Sequence, residues 1–366
     1  MEKTKKKLIV FIPSIEDGGV EKNLFLVLNY LSKKIGSIDL ITFNNDMREK
    51  FDKKINIINP YFNFFFFSNR LPKYIFCILT LIRKLVINRN CVIFSFQANI
   101  YVIIIAKFFR VNVISRSNSS STGWSKNILK QFIFSFFFKR ANKILVNSFD
   151  FKKEIDNKYN LETECILNPF DFKKIKKQSN EKCKKIYSKN KILKLISVGR
   201  LTYQKDFLTL LRAINILKKK KDFELIIIGK GVDKPLLENY ILKNGLKKNV
   251  KLIGYKKNPF KFINQADIFL LTSIFEGSPN VLVEALYLKK YVISTNCPTG
   301  PKEILKNGEY GSLVKMKNFK EIAKILINFK KNHKTKKKII NGYNSLKKFD
   351  HKVNCEKYLK LVQKYI

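Results

Sequence analysis

The sequence predicts an α/β protein made of two doubly wound parallel sheets. Three observations carry this expectation. Short β-branched runs alternate with amphipathic stretches of helical period along the whole chain, the pattern of strand–helix–strand units. The 366 residues exceed what one ordinary core holds and suit two domains. The alternation breaks at Asn168-Pro169-Phe170-Asp171, ahead of a lysine-rich stretch that runs to Lys191.

In the first half the strand candidates are Leu8–Pro13, Ser37–Phe43, Val92–Phe96, Asn112–Ser115 and Lys143–Asn147. Helical stretches between them include 20–33, 73–86 and 127–138. In the second half the strands are Leu193–Val198, Glu224–Ile228, Lys251–Ile253, Ile268–Leu271 and Tyr291–Ser294, with helices near 207–219, 234–244 and 281–288. The expected organisation is an N-terminal domain over 1–168, a linker over 169–192 and a C-terminal domain over 193–353. A last helix, 354–366, is expected to pack back on the first domain. Open α/β sheets bind ligands beyond the carboxyl ends of their strands, so two such sheets facing across a cleft would let a donor meet an acceptor.

Composition narrows the function classes. Hydrophobic content of 45% excludes a disordered chain, and no fixed-period repeat suggests a solenoid. The formal charge of +45 is spread over both halves, with 31 basic and 14 acidic groups in 1–180 and 42 and 14 in 181–366. A nucleic-acid binder concentrates its charge beside a reading element, so no nucleic-acid partner is expected. One stretch stands out. Between Asp52 and Asp150 there are 15 Lys or Arg and no carboxylate, interleaved with Phe64–Phe67 and Phe132–Phe138. Basic and aromatic residues together suit an anionic membrane surface; the plainer alternative is a Phe-rich core under a solvated basic skin.

Cys77, Cys91, Cys165, Cys183, Cys297 and Cys355 show no metal or redox spacing and read as reduced thiols of a cytoplasmic protein. The apolar run after the N-terminal lysines stops at Pro13 and reads as a strand, not an export signal. The apolar stretch around Tyr101–Ala106 is too short and too interrupted to span a bilayer. The expected location is therefore cytoplasmic, peripheral at the inner face of the cytoplasmic membrane.

The strongest local pattern runs from Ser273 to Leu286. Ser278 reads as a helix N-cap and Pro279 as the first helical residue, where its missing N–H costs nothing. The amides of Asn280 and Val281 would then form an anion site at the helix start. Glu284 shares that face amid Val281, Leu282, Val283, Ala285 and Leu286, company in which a carboxylate needs hydrogen-bond donors such as a pair of ribose hydroxyls. Glu276, with Gly277 after it, would reach the sugar end of the ligand, although two glutamates eight apart are common by chance and a surface Glu276 is the bland reading.

A second pattern, Gly199-Arg200-Leu201 through Lys205, follows a strand. It places a guanidinium, able to grip phosphate bidentately, and an ammonium at the carboxyl edge of the sheet. A third, Gly18-Gly19-Val20-Glu21, joins the first strand to the first helix and lets backbone approach a ligand. Gly229-Lys230-Gly231 reads first as structural, and there is no P-loop.

These blocks resemble glycosyltransferase family 4, the retaining family of the two-domain GT-B fold. The matches, in order, are Gly199-Arg200-Leu201 with Lys205, Ile228–Gly231, Phe275–Gly277 through Glu284–Leu286, and Gly300–Leu305 with Gly308 and Gly311. Ser294–Gly300 is similar to members that add hexose or N-acetylhexosamine units in bacterial polysaccharide, capsule and lipopolysaccharide assembly. The resemblance implies roles. Arg200 and Lys205 would bind the pyrophosphate of a nucleotide-diphosphate sugar, UDP-linked, with the amides at 280–281 helping. Glu284 would hold the ribose, Glu276 the transferred sugar, and Gly254-Tyr255 would face the base. The acceptor would be lipid-linked or a growing glycan. No cofactor is expected beyond the donor substrate, and the lack of any Asp-x-Asp pair points to metal independence.

One departure is plain. Many members of that family carry a His or Asp of the N-terminal domain facing the sugar. Here the only histidines are His333 and His351, and the corresponding loop reads as Arg116-Ser117-Asn118-Ser119. The expectation is a front-face reaction in which the leaving phosphate takes the acceptor proton. The competing readings are a nucleotide-sugar epimerase or hydrolase of the same fold and, from another class, a basic polyanion-binding protein.

Overall fold

The computed structural model describes residues 6–15, 18–44, 47–60, 70–118, 128–188 and 192–366. The chain divides into two compact units, Met1–Phe170 with Phe349–Ile366, and Asp171–Lys348.

The first unit holds a seven-stranded sheet in the order β3-β2-β1-β4-β5-β6-β7, parallel throughout. The strands are β1 Lys7–Phe11, β2 Ile38–Ile41, β3 Ile55–Ile58, β4 Cys91–Ser95, β5 Asn112–Arg116, β6 Lys143–Val146 and β7 Thr163–Cys165. Its central strands read as unbroken apolar runs because helices cover both faces. On one face lie α1 (Gly19–Ile35) and the last helix, α14 (His351–Gln363), which share a core with Leu8, Val10, Phe94 and Tyr358. On the other lie α2 (Arg70–Ile87), α3 (Asn99–Phe108), α4 (Ile128–Phe138) and α5 (Phe149–Tyr159). The end of the first segment is stitched to the start of the returning one: Phe170 N donates to Phe349 O at 2.9 Å and His351 N to Phe170 O at 3.1 Å.

The second unit holds six parallel strands in the order β10-β9-β8-β11-β12-β13. They are β8 Leu193–Val198, β9 Phe223–Ile228, β10 Val250–Leu252, β11 Ile268–Leu271, β12 Tyr291–Thr295 and β13 Ser312–Val314. This is the Rossmann order, which reverses between β8 and β11 and so opens a crevice at their carboxyl ends. Its helices are α6 Phe172–Ser179, α7 Phe207–Leu217, α8 Lys234–Lys243, α9 Phe260–Ile263, α10 Asn280–Tyr287, α11 Pro301–Ile304, α12 Phe319–Asn328 and α13 His333–Asn344.

The stretch 169–192, read from the sequence as a linker, is more ordered than that. Asp171 caps α6 by accepting from Lys174 N at 2.9 Å, and Ile175 and Tyr187 are buried. Its lysines mark the exposed side of a short helix. Of the six cysteines, Cys77, Cys91, Cys297 and Cys355 are buried and none is paired. Among the described residues no helix is long and apolar enough to cross a membrane.

Candidate active site

In the second unit the reversal point brings two sequence blocks together. The loop after β8 carries Gly199, Arg200 and Lys205; the loop after β11 carries Ser273, Glu276 and the approach to α10. The two loops are tied at several points. Ile274 N donates to Gln204 O at 2.8 Å, Gln204 Nε2 to Phe275 O at 2.9 Å, and Thr272 Oγ1 to Lys205 O at 3.0 Å.

Lys205 and Glu276, assigned from the sequence to different parts of the ligand, form a salt bridge with Nζ 2.5 Å from Oε1. Ser273 Oγ donates to the same Oε1 at 2.6 Å, and Thr299 Oγ1 donates to the Glu276 carbonyl at 2.7 Å. Glu276 is 6% exposed, so the bland reading of a surface glutamate is wrong. A buried carboxylate is tolerated because a cation and a hydroxyl satisfy it. Both side-chain contacts fall on Oε1. Arg200 is exposed, and no described residue takes its guanidinium. Cys297 is buried beside this pair; burial first, and the Glu276 charge second, push its thiol up to about 12, which leaves it protonated and inert.

Glu284 is 1% exposed on α10, between residues that face the core. The start of α10 corrects one expectation. Pro279, with φ −70° and ψ 102°, occupies the N-cap position itself, no side chain caps the helix, and Asn280 is the first helical residue. Leu282 N reaches back to Pro279 O at 3.0 Å, so Asn280 and Val281 precede the first intrahelical bond. Ser278 therefore belongs to the approach, not the cap. Gly300 presses on that approach: a Cβ there would lie 2.7 Å from Pro279 Cδ and 2.8 Å from Gly277 O.

Gly229 and Gly231 hold the loop after β8 by close packing. A Cβ on Gly229 would lie 1.8 Å from Gly199 O, and one on Gly231 2.2 Å from Leu201 O. Gly199 N donates to Ile228 O at 3.0 Å, Leu201 N to Lys230 O at 2.9 Å, and Gly229 N to Gly254 O at 3.0 Å. Gly254 and Tyr255 thus sit at the same sheet edge, beyond β10, with Lys230 Nζ 5.4 Å from the Tyr255 ring centroid.

In the first unit Gly18 is the N-cap of α1 and Gly19 its first residue, after β1 and next to the β1/β4 reversal. Ser14 and Gln97 lock those two strand ends together, with Gln97 Nε2 donating to Ser14 O at 3.0 Å. Glu16 and Asp17, the two acids just before Gly18, lie outside the described residues, as do Phe64–Phe67 and Ser119. Arg116 is no open-loop residue. It is the fully buried end of β5, donating through Nε to Tyr358 Oη at 2.8 Å, through Nη2 to Asn168 Oδ1 at 2.7 Å, and through Nη1 to Asn118 Oδ1.

Thr272, Ser273, Gln204 and Thr299, which hold Lys205 and Glu276 in place, carry no role that local spacing predicts. The available signal was polar residues directly after an apolar strand, where a packed core gives way to a site.

The model for "Glycosyl transferases group 1" matches residues 178–344, within the second unit. An uncharacterized glycosyltransferase of Methanocaldococcus jannaschii is 30% identical over 294 residues, spanning 68% of this chain and 72% of that protein. The chain belongs to the group 1 glycosyltransferases. A Campylobacter jejuni enzyme named N-acetylgalactosamine-N,N'-diacetylbacillosaminyl-diphospho-undecaprenol 4-alpha-N-acetylgalactosaminyltransferase is 29% identical over 331 residues, 86% of this chain and 87% of that one. The fold is GT-B: Anabaena HepE, solved with UDP and glucose, superposes with a TM-score of 0.79 over 98% of this glycosyltransferase and 99% of its own chain, at 16% identity. TarM of Staphylococcus aureus superposes with a TM-score of 0.74 over 97% of this chain and 99% of its own, at 14% identity.

Proposed function

We propose that this glycosyltransferase moves a hexose or N-acetylhexosamine, with retention, from a UDP-sugar to a lipid-linked or polysaccharide acceptor, at the cytoplasmic face of a membrane. The observation that carries the reading is the Lys205–Glu276 pair at the β8/β11 reversal, flanked by exposed Arg200 and buried Glu284. One sheet edge then offers a cation for a diphosphate, an acid for a ribose and an acid for a sugar. The relative that acts on a diphospho-undecaprenol glycan and the neighbour that holds UDP and glucose point the same way.

Arg200 takes the diphosphate bidentately, and Lys205 adds a positive charge fixed by Glu276. The amides at the start of α10 add their dipoles to the same anion. Glu276 keeps Oε1 on Lys205 and Ser273 and turns Oε2 to a sugar hydroxyl. Glu284 accepts from the ribose, and Gly254-Tyr255 lie toward the base, with roughly 14 Å of strand spacings between β10 and β11. In the transfer, the bond from the anomeric carbon to the β-phosphate oxygen breaks and a bond to the acceptor oxygen forms on the same face. The acceptor proton goes to the departing phosphate oxygen. That leaving group is stabilised by fixed protein charges, so no metal ion is required of this reading.

The test is a panel of UDP-, GDP- and dTDP-sugars scored by thermal shift, followed by turnover with a polyprenyl-diphosphate glycan and assignment of the product anomer. A stabilising UDP-sugar and an axial product from an axial donor support the reading. An inverted anomer, or turnover without any acceptor, overturns it.

A further inference from the structure

The loop after β12, residues 296–300, leans on the loop that carries Glu276. Thr295 Oγ1, at the end of the strand, donates to Ser273 O at 2.6 Å, and Thr299 Oγ1 donates to Glu276 O at 2.7 Å. Glu276 is thus held at two ends, its carboxylate by Lys205 and Ser273 and its own carbonyl by Thr299. Thr299 is 8% exposed, so water competes little for that bond.

The backbone of Thr299 suits its side chain badly. Its φ is +58°, in the left-handed region, where a Cβ crowds the carbonyl oxygen and a branched side chain is least at home. Among the described residues, nine other than glycine have positive φ, and Thr299 alone of them is β-branched. Glycine would adopt this conformation freely, and asparagine at less cost. Another of the nine, Asp206 with φ +44°, directly follows Lys205. Both halves of the ion pair therefore touch backbone that stability alone would not select. Such residues persist where their surroundings over-determine them, and they gather at sites whose geometry must be set before the ligand arrives. Threonine offers two things here that glycine lacks. Its hydroxyl reaches the Glu276 carbonyl, and its second γ substituent restricts χ1, which keeps that hydroxyl aimed.

We infer that Thr299 is a positioning residue for the transfer: it accepts a strained backbone so that its hydroxyl fixes the main chain of Glu276, and with it the aim of Oε2 at the transferred sugar. This rests on the proposed contact between Glu276 and that sugar. A misplacement of about 1 Å at such a group is enough to lower a rate by about 100-fold. The diphosphate and ribose contacts, through Arg200 and Glu284, do not depend on it.

T299S, T299A and T299G test this on the full chain. T299A and T299S both lack the branch and differ by one hydroxyl. T299A lowers kcat by about 10- to 100-fold, whereas T299S recovers most of the wild-type rate. T299G relieves the backbone, so it melts no lower than T299A, yet it turns over as slowly. Calorimetry with UDP, which has no sugar, gives the same affinity for all three. Amide hydrogen exchange over residues 274–281 rises in T299A and not in T299S, a readout that needs neither donor nor acceptor. On the E276Q background T299A lowers kcat by no more than about a further twofold, because the aim it sets is already lost. T299A or T299G at the T299S rate, with E276Q impaired, overturns the inference and leaves the transferase reading standing. A loss that recurs in full on the E276Q background, or a matching fall in UDP affinity, overturns it as well, since Thr299 would then act on more than Glu276. Wild-type kcat in E276Q sinks the sugar contact and the inference together.

Discussion

Lys205 Nζ lies 2.5 Å from Glu276 Oε1, although 71 residues separate them. The pair is largely buried, so each charge depends on the other. E276Q leaves an ammonium without its counter-charge and K205M leaves a carboxylate without its own; either single change destabilises by roughly 1–3 kcal/mol. The double variant costs less than the two added together. A double-mutant cycle on urea midpoints, with a coupling energy above about 1 kcal/mol, is the expected result. On turnover, E276Q lowers kcat by at least about 100-fold, the scale of losing a charge aimed at the reacting group.

Arg200 should behave in the opposite way. It is exposed and holds nothing in the folded chain, so R200A leaves the melting temperature within about 1 °C. Its donor affinity falls by roughly 1.5–3 kcal/mol, the worth of hydrogen bonds to a charged group. R200K recovers only part, since an ammonium cannot form two parallel bonds. Calorimetry with UDP checks both. Full affinity in R200A would remove the arginine from the diphosphate.

Central strands were legible because burial on both faces writes itself into a continuous apolar run. Leu193–Val198 and Ile268–Leu271 were bounded from the sequence as they stand in the structure. The edge strands β3, β7 and β13 were missed. The last two have three residues each and pair along one side only, which leaves too little pattern to read. Helix α6 was hidden by its own lysines. The blocks around Arg200, Lys205, Glu276 and Glu284 were visible as motifs, but not the ion pair, because register across a parallel sheet is not written in local spacing. Pro279 was displaced by one position because its ring fits a cap nearly as well as a first turn.

Gly229 gives a steric prediction. A methyl group there meets Gly199 O at 1.8 Å, and both atoms belong to backbone held by ladder bonds. G229A therefore separates the loops after β8 and β9, costing about 3 kcal/mol or more, at or beyond the top of the usual overpacking range, and weakening UDP binding with it. Gly308 is the control: its φ is +93° but nothing lies within 4 Å, so G308A costs only the left-handed penalty of about 1–2 kcal/mol. Equal losses in the two variants would show that strain, not contact, explains Gly229.

The buried Arg116 is held by three neutral acceptors, one of them Tyr358 on α14. Y358F removes one hydrogen bond from a fully buried cation and keeps the ring's packing against Phe94. The loss should be about 1.5–3 kcal/mol, seen in chemical denaturation of the whole chain, with UDP affinity unchanged. A fall in UDP affinity at constant stability is the result that would contradict a purely supporting role for this contact.

Lys290 supplies a pH dependence whose sign can be worked out. Burial pushes its ammonium down to about 8, while Nζ donates to Asn264 O at 2.6 Å; Asp267 partly offsets the shift and Lys331 adds to it. Below pH 8 the group is charged in both states and its burial weakens the fold. Between pH 8 and its unfolded value of 10.5 the native protein has released a proton that the unfolded chain still holds. Stability therefore rises with pH across that window. K290M keeps the apolar stem and removes the titration. From pH 7.5 to pH 10 the wild type should gain on K290M by on the order of 2 kcal/mol, read as the difference between their urea midpoints at each pH. A gap that stays constant would mean that Lys290 keeps its proton throughout.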